Sequence, residues 1–355
     1  MAAGPSVMVS IGALVASWVL VGTIRTLALR RGVLDIPNAR SSHVRPTPRL
    51  GGVGIVAAVV VPVVAVAAGA GLLTREIVVV LALATTVSLV SLLDDLRGLP
   101  AVTRLLVHLA TAALAVAYLG PLDVVVPGVT GGVARSAVAH GLTVVWIAGF
   151  INAFNFMDGT DGIAAGQAIV AATGWGIAGW WLNEPGLALL GAAVAAASAG
   201  FLPHNWSPAT IFMGDVGSAF LGFLLATLPL LVDSPRPLLT AWLPVWPFVF
   251  DTTITLARRA HRGENLLAAH RSHLYQRLTQ SGWPHGRAAI LYSALALAGV
   301  IVAVPMSTGV LSTPLPALTL LAAGSALLWM LVRWQEARRP TQTVGVMPSG
   351  GADHA

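Results

Sequence analysis

The sequence predicts an all-α, polytopic membrane protein, a bundle of about eleven spanning helices. Three observations carry this. Of 355 residues, 56% are apolar and only 10% are charged, whereas a soluble domain has about 25% charged residues. The mean hydropathy is +0.81. The apolar residues form unbroken Ala- and Leu-rich runs of about 20 residues, the length a helix needs to cross the hydrocarbon layer, without the alternation of a membrane β-barrel. The same composition excludes a soluble globule and a disordered chain. With no Cys, a disulfide-built domain and a Cys-ligated zinc site are excluded too.

Taken in order, the expected spans lie near 5–24, 51–73, 77–93, 103–120, 139–154, 163–182, 186–203, 216–232, 238–255, 288–306 and 312–333. Thr74-Arg75-Glu76 and Asn183-Glu184-Pro185 are breaks short enough for tight helical hairpins. The first span has no charged region before it; Arg25, Arg30 and Arg31 follow it. It therefore reads as a retained helix with its N-terminus outside, not as a signal peptide. Alternation then puts the connections 25–50, 94–102, 155–162, 204–215 and 256–287, and the C-terminus, in the cytoplasm. All 20 Lys and Arg residues are Arg. Seventeen fall on the predicted cytoplasmic side, leaving Arg75, Arg135 and Arg236 outside, as the positive-inside rule requires. Residues 1–333 form one integral membrane domain, and 334–355 a polar tail expected to be disordered. The net charge of +6 reflects topology and anion binding; nucleic acid is not an expected partner.

The carboxylates show where the chemistry lies. Asp35, Asp94, Asp95, Asp158, Asp161, Asp215 and Asp251 all fall at or beside predicted cytoplasmic ends. Ionisable groups near the bilayer are costly and tend to be functional. Acids gathered on one face need a cation, and hard oxygen ligands favour Mg2+ or a relative such as Mn2+. Asp94-Asp95 ends the third span, where the helix dipole disfavours acids. Asn152-Ala-Phe-Asn155-Phe-Met-Asp158-Gly-Thr-Asp161-Gly162 places two carboxamides and two carboxylates in eleven residues, with Gly beside each Asp to let the backbone turn closely. Phe212-Met-Gly-Asp215-Val-Gly-Ser218 opens a helix, and Asn205 lies ten residues upstream.

Basic residues share that face. The first inside loop contains Asp35-Ile-Pro-Asn-Ala-Arg40-Ser-Ser-His43-Val-Arg45-Pro-Thr-Pro-Arg49-Leu-Gly-Gly, and the last contains His270-Arg271-Ser-His273-Leu-Tyr-Gln-Arg277. Arg and His offer donors for phosphate oxygens. Acids that hold a divalent cation beside bases that hold phosphate point to phosphoryl-group chemistry. There is no Walker A motif, so ATP hydrolysis is not expected.

These five motifs, in this order from Asp35 to Arg277, resemble those of the polyprenyl-phosphate N-acetylhexosamine-1-phosphate transferases. That family includes the bacterial phospho-MurNAc-pentapeptide translocase and the undecaprenyl-phosphate GlcNAc-1-phosphate transferase that starts O-antigen and wall-polymer synthesis. The resemblance implies a ten- or eleven-span fold in the plasma membrane with a cytosolic active site. It implies Mg2+-dependent transfer of a sugar-1-phosphate from a UDP-N-acetylhexosamine to a polyprenyl phosphate (undecaprenyl or decaprenyl), releasing UMP. By the same resemblance, Asp215 and Asn155 hold the metal, Asp94 and Asp95 lie by the acceptor phosphate, and Asp158 and Asn205 help bind the uridine nucleotide. His270, Arg271 and His273 contact pyrophosphate or sugar. Asp94, Asp95, Asp158 and His273 are the expected catalytic residues; Asn152, Asp161, Asn205, Arg49, His43, His270, Arg271 and Arg277 are the expected substrate contacts. A homodimer is compatible with the sequence.

The last loop departs from the GlcNAc branch's Asp-Arg-x-His-Leu-His-His, with His270 for the Asp and Tyr275-Gln276 for the His pair. This form is similar to branch members that use 6-deoxy sugars such as UDP-FucNAc or UDP-QuiNAc. Two other readings stand beside the transferase. A transporter would place its acids near mid-membrane and often shows repeats. A non-catalytic scaffold would have lost one of Asp94, Asp95, Asp158 or Asp215, and none is lost.

Overall fold

A computed structural model describes residues 3–37, 45–124, 132–233, 237–266, 268 and 270–338. The chain is helical almost throughout: α1 (Ala3–Arg31), α2 (Gly51–Gly69), α3 (Arg75–Arg97), α4 (Ala101–Leu119), α5 (Gly132–Met157), α6 (Ile163–Leu182), α7 (Pro185–Asn205), α8 (Asp215–Thr227), α9 (Leu238–Trp242), α10 (Trp246–His261), α11 (Leu274–Gln280), α12 (His285–Ser307) and α13 (Leu315–Ala337). A two-stranded antiparallel ribbon, β1 (Leu34–Asp35) with β2 (Thr47–Pro48), closes the first loop with Leu34 opposite Pro48.

Among the described residues, eight helices are long and apolar enough to cross a membrane: α1 to α5, α7, α12 and α13. The protein is therefore an all-α, multi-pass membrane protein. The other three expected spans have physical particularities. The run 163–182 is the single helix α6. The run 216–232 is α8 followed by a 3-10 segment, Leu228–Leu231, with Pro229 in its first turn. The run 238–255 is broken: α9, a 3-10 turn Leu243–Val245 and then α10, with Pro244 and Pro247 each starting a new segment because proline has no N–H to continue the old one.

The break between α2 and α3 comes earlier than expected, at 70–74. The Thr74 side chain caps α3 by accepting from the Ile77 N–H at 3.5 Å. At its other end α3 runs on through Asp94 and Asp95 to Arg97, so both acids sit in its last turn. The α6–α7 break falls where expected, with Asn183 in the left-handed conformation and Pro185 opening α7. The expected tail begins inside α13, which continues to Ala337; residues 339–355 lie outside the described part.

Helix α8 is the centre of the bundle. Every residue from Val216 to Thr227 is buried, and α3 and α5 pack along it. Helix α1 packs on α2 and α7, and α6 on α7 and α12. A short buried helix needs no lipid-facing length; here it carries Asp215 at its N-terminus into the middle of one end of the bundle.

Candidate active site

Two motifs distant in sequence are zipped together first. The N–H of Phe212 donates to the Pro48 carbonyl at 2.8 Å, and the N–H groups of Gly51 and Gly52 donate to the Phe212 and Met213 carbonyls at 2.9 and 2.8 Å. The approach requires glycine: a Cβ on Gly52 would lie 2.4 Å from the Gly217 backbone. This contact fixes where α8 begins. Asp95 then caps it, accepting from the N–H groups of Asp215 at 3.2 Å and Val216 at 2.9 Å, where a helix N-terminus favours an anion.

The carboxylates meet around that point. Asp94 accepts from the Leu99 N–H at 2.5 Å and pairs with Arg104 at 2.6 Å. Arg104 bridges onward to Asp215 at 3.0 Å. The Asn155 amide donates to Asp215 and to the Ser218 hydroxyl, both at 2.8 Å. Asp158 lies within electrostatic reach of Asp215 and Asp95. Burial, reinforced by the charges of Asp215, Asp95 and Asp161, pushes its carboxyl well above the ordinary carboxylate range. Among the described residues no side chain or N–H donates to it. Four carboxylates thus gather near one another, two of them bridged by the Arg104 guanidinium, with the charge of Arg49 also acting on Asp95. Arg49 itself has a buried Nε without a partner among the described residues.

The donor set fits a divalent cation of the Mg2+ kind. Asp215 and Asn155 are within 2.8 Å of each other, and both offer hard oxygen. Among the described residues no three acidic or imidazole groups already form a closed metal shell. Mg2+ needs no such shell, being held by one or two carboxylates and completed by water and substrate phosphates.

The other expected site residues fall into two groups. Some brace the loops. Asn205 accepts from the Gly162 N–H at 2.9 Å and donates to the Ile211 carbonyl at 3.1 Å. Asp161 pairs with His285 at 3.2 Å and accepts from the Ala209 N–H at 3.2 Å. Burial would raise the Asp161 carboxyl, but His285, Ala209 and Ser207 together hold it below the usual range. Asn152 bonds to His108 at 3.1 Å and to the Ala148 carbonyl at 2.7 Å. Arg277 forms a bidentate pair with Glu336 of α13, both contacts at 2.6 Å.

The rest lie in the last loop or outside the described residues. The His270 and His273 rings lie with centroids 4.8 Å apart, tilted by 35° to each other. Burial and the neighbouring His273 and Arg259 push the His270 imidazole down to about 4, so it is neutral at pH 7 and hydrogen-bonds without charge. Arg271 carries the fixed charge of that loop. His43 is outside the described residues. Tyr275 and Gln276, where the loop departs from the GlcNAc pattern, have inward roles: Tyr275 is fully buried and donates to the Phe156 carbonyl at 3.0 Å, and Gln276 accepts from the His273 N–H at 3.2 Å.

Arg104 is the residue that sequence reasoning missed, counted only as a cytoplasmic anchor. One signal was present: a cation in the first turn of a helix opposes the dipole, which needs an acid nearby to offset it.

The profile described as "Glycosyl transferase family 4" matches residues 77–233. The chain is 32% identical over 268 residues to a Bacillus subtilis protein named "Probable undecaprenyl-phosphate N-acetylglucosaminyl 1-phosphate transferase", covering 74% of each chain. It is 30% identical to the decaprenyl-phosphate N-acetylglucosaminephosphotransferase of Mycolicibacterium smegmatis, over 80% of this chain and 78% of that one. It is 30% identical to the phospho-N-acetylmuramoyl-pentapeptide-transferase of Lactiplantibacillus plantarum, over 45% of this chain and 50% of that one. The matched segment holds the acid cluster, and the chain belongs to glycosyl transferase family 4, the polyprenyl-phosphate N-acetylhexosamine-1-phosphate transferases, enzymes of the phosphotransferase class.

Proposed function

We propose that the protein transfers a sugar-1-phosphate from a UDP-N-acetylhexosamine to a polyprenyl phosphate at the cytoplasmic face of the plasma membrane, releasing UMP and starting a cell-envelope polysaccharide. The observation that carries this is the gathering of Asp94, Asp95, Asp158 and Asp215 at one place, with Arg104 bridging Asp94 and Asp215. Such a site is short of positive charge, and anionic substrates alone would make it worse. In this reading Asp215 and Asn155 hold Mg2+ or Mn2+. When bound, the metal supplies neutralisation of the donor pyrophosphate.

The chain's own residues do the rest. Asp95 holds the start of α8, and so Asp215, in place. Arg104 keeps Asp94 and Asp215 from repelling one another. Arg49 and Arg271 receive phosphate oxygens. An oxygen of the acceptor phosphate attacks the sugar-bearing phosphorus; the bond from that phosphorus to the bridging oxygen breaks, and UMP leaves with the electron pair. A phosphate is already nucleophilic near pH 7, so bringing the two anions together is the main work. The names of the relatives favour GlcNAc as the sugar; the His270, Tyr275 and Gln276 form of the last loop keeps a 6-deoxy sugar such as FucNAc or QuiNAc as the alternative. The 17 to 3 distribution of Arg supports eleven crossings with the N-terminus outside.

Purified protein with a polyprenyl phosphate and a panel of UDP-amino sugars tests the proposal. UMP should appear with Mg2+ or Mn2+ and stop on chelation. No UMP from any donor would sink it.

A further inference from the structure

Asp251 has no place in the mechanism above, yet it is fully buried and takes more hydrogen bonds than any carboxylate of the acid cluster. Its Oδ1 accepts from the Leu274 N–H at 2.7 Å and from the Thr255 hydroxyl at 3.2 Å, and lies 3.2 Å from Nδ1 of His273. Its Oδ2 accepts from the Tyr275 N–H at 3.0 Å and the Tyr292 hydroxyl at 2.6 Å. These donors come from α10, α11 and α12. A backbone N–H can only donate, and one points at each oxygen, so both oxygens act as acceptors.

That settles what faces it. An Nδ1 lone pair facing an oxygen that already accepts from Leu274 and Thr255 is repulsive, while an Nδ1–H there adds a third hydrogen bond. The Gln276 N–H also donates to the His273 side chain in the capping box of α11, a contact that competes with Asp251 and that the tautomer measurement below weighs against it. We propose that Asp251 is the positioning residue of His273: it fixes the ring and keeps the proton on Nδ1, so that Nε2, on the opposite edge, is the nitrogen offered to the reaction. The effect reaches the acid cluster through Tyr275, whose backbone Asp251 holds and whose hydroxyl bonds Phe156 beside Asn155. The kinetic part rests on the transferase reading; the tautomer does not.

Two measurements test it. The first is 15N NMR of His-labelled wild-type protein without substrate, with the His273 signals assigned by their loss in His273→Gln. A protonated Nδ1 supports the proposal, and an unprotonated Nδ1 overturns it, whether or not any donor is turned over. The second is a double-mutant cycle on UMP release. An amide at 251 can donate to Nδ1 and reverse the tautomer, so Asp251→Asn should lower kcat by about 100-fold or more with donor KM within about threefold. In the His273→Gln background the same change should cost less than about threefold. An equal cost in both backgrounds would make Asp251 only a cap for α11 and overturn the kinetic part. Tyr292→Phe removes one bond to Asp251 without touching the tautomer; it should leave kcat within about threefold, and a loss as large as that of Asp251→Asn would likewise overturn the proposal.

Discussion

The acid cluster and the Asp251 site are both made of carboxylate at one end of the same bundle, and they are opposites. Asp251 is sealed from solvent, and donors from three helices satisfy both of its oxygens. In the cluster, Asp215 is 33% exposed and shares one guanidinium with Asp94, and Asp158 has no donor among the described residues. A buried carboxyl without donors keeps its proton rather than carry an unpaired charge. The contrast separates a carboxylate that organises the protein from carboxylates that wait for a ligand, and it does so without reference to the motifs.

The comparison can be broken at its strongest point. Asp215→Asn should abolish UMP release, a loss of at least about 10^3-fold, because a cation holder worth several kcal/mol is gone. The protein should still elute as a folded species in size-exclusion chromatography; retained turnover would take Asp215 out of the site. Arg104→Ala is next. Turnover should drop by about 10- to 100-fold, while the half-saturating Mg2+ concentration moves lower because a competing cation has left. An unchanged Mg2+ dependence would show that Arg104 does not balance that charge.

A smaller effect comes from pH. Asp158 is held above the ordinary carboxylate range, so it keeps its proton to a higher pH than a free Asp. Raising pH through its titration releases that proton and strengthens cation binding, by at most about tenfold per unit for one competing proton. Mn2+ titration at a series of pH values reads this directly, and a flat profile would argue that Asp158 does not compete with the cation. The smallest effect belongs to the satisfied region. Tyr275→Phe loses the bond to the Phe156 carbonyl and should cost about 1 kcal/mol of stability in a thermal melt. Its ranking of UDP-sugar donors should stay unchanged; a switched ranking would mean that Tyr275 selects the sugar after all.

Much of this was legible in the sequence. Unbroken apolar runs identify a membrane helix whatever it packs against, because the bilayer supplies the partner surface. The acids of the Asp-Asp pair, the Asn-rich block and the Phe-Met-Gly-Asp block were each recognisable from residue type and spacing. Local rules misplaced what depended on neighbours. The run 238–255 read as one span, since hydropathy averages over Pro244 and Pro247 while the backbone does not. Arg277, expected as a phosphate contact, is also paired with Glu336 of α13, which no local rule could show. Asn152, Asp161 and Asn205, expected as substrate contacts, also bond to His108, His285 and backbone groups that only the fold brings to them.

The sequence alone determined that this is a membrane bundle with acids and bases gathered at one end, because burial cost and charge placement are properties of each segment. Only the tertiary structure decided which acids the protein satisfies itself. Arg104 and Asp215 are 111 residues apart, and Tyr292 and Asp251 are 41 apart. A hydrogen bond acts over about 3 Å, so whether an acid is completed by the fold or left for a cation depends on which distant helix arrives beside it.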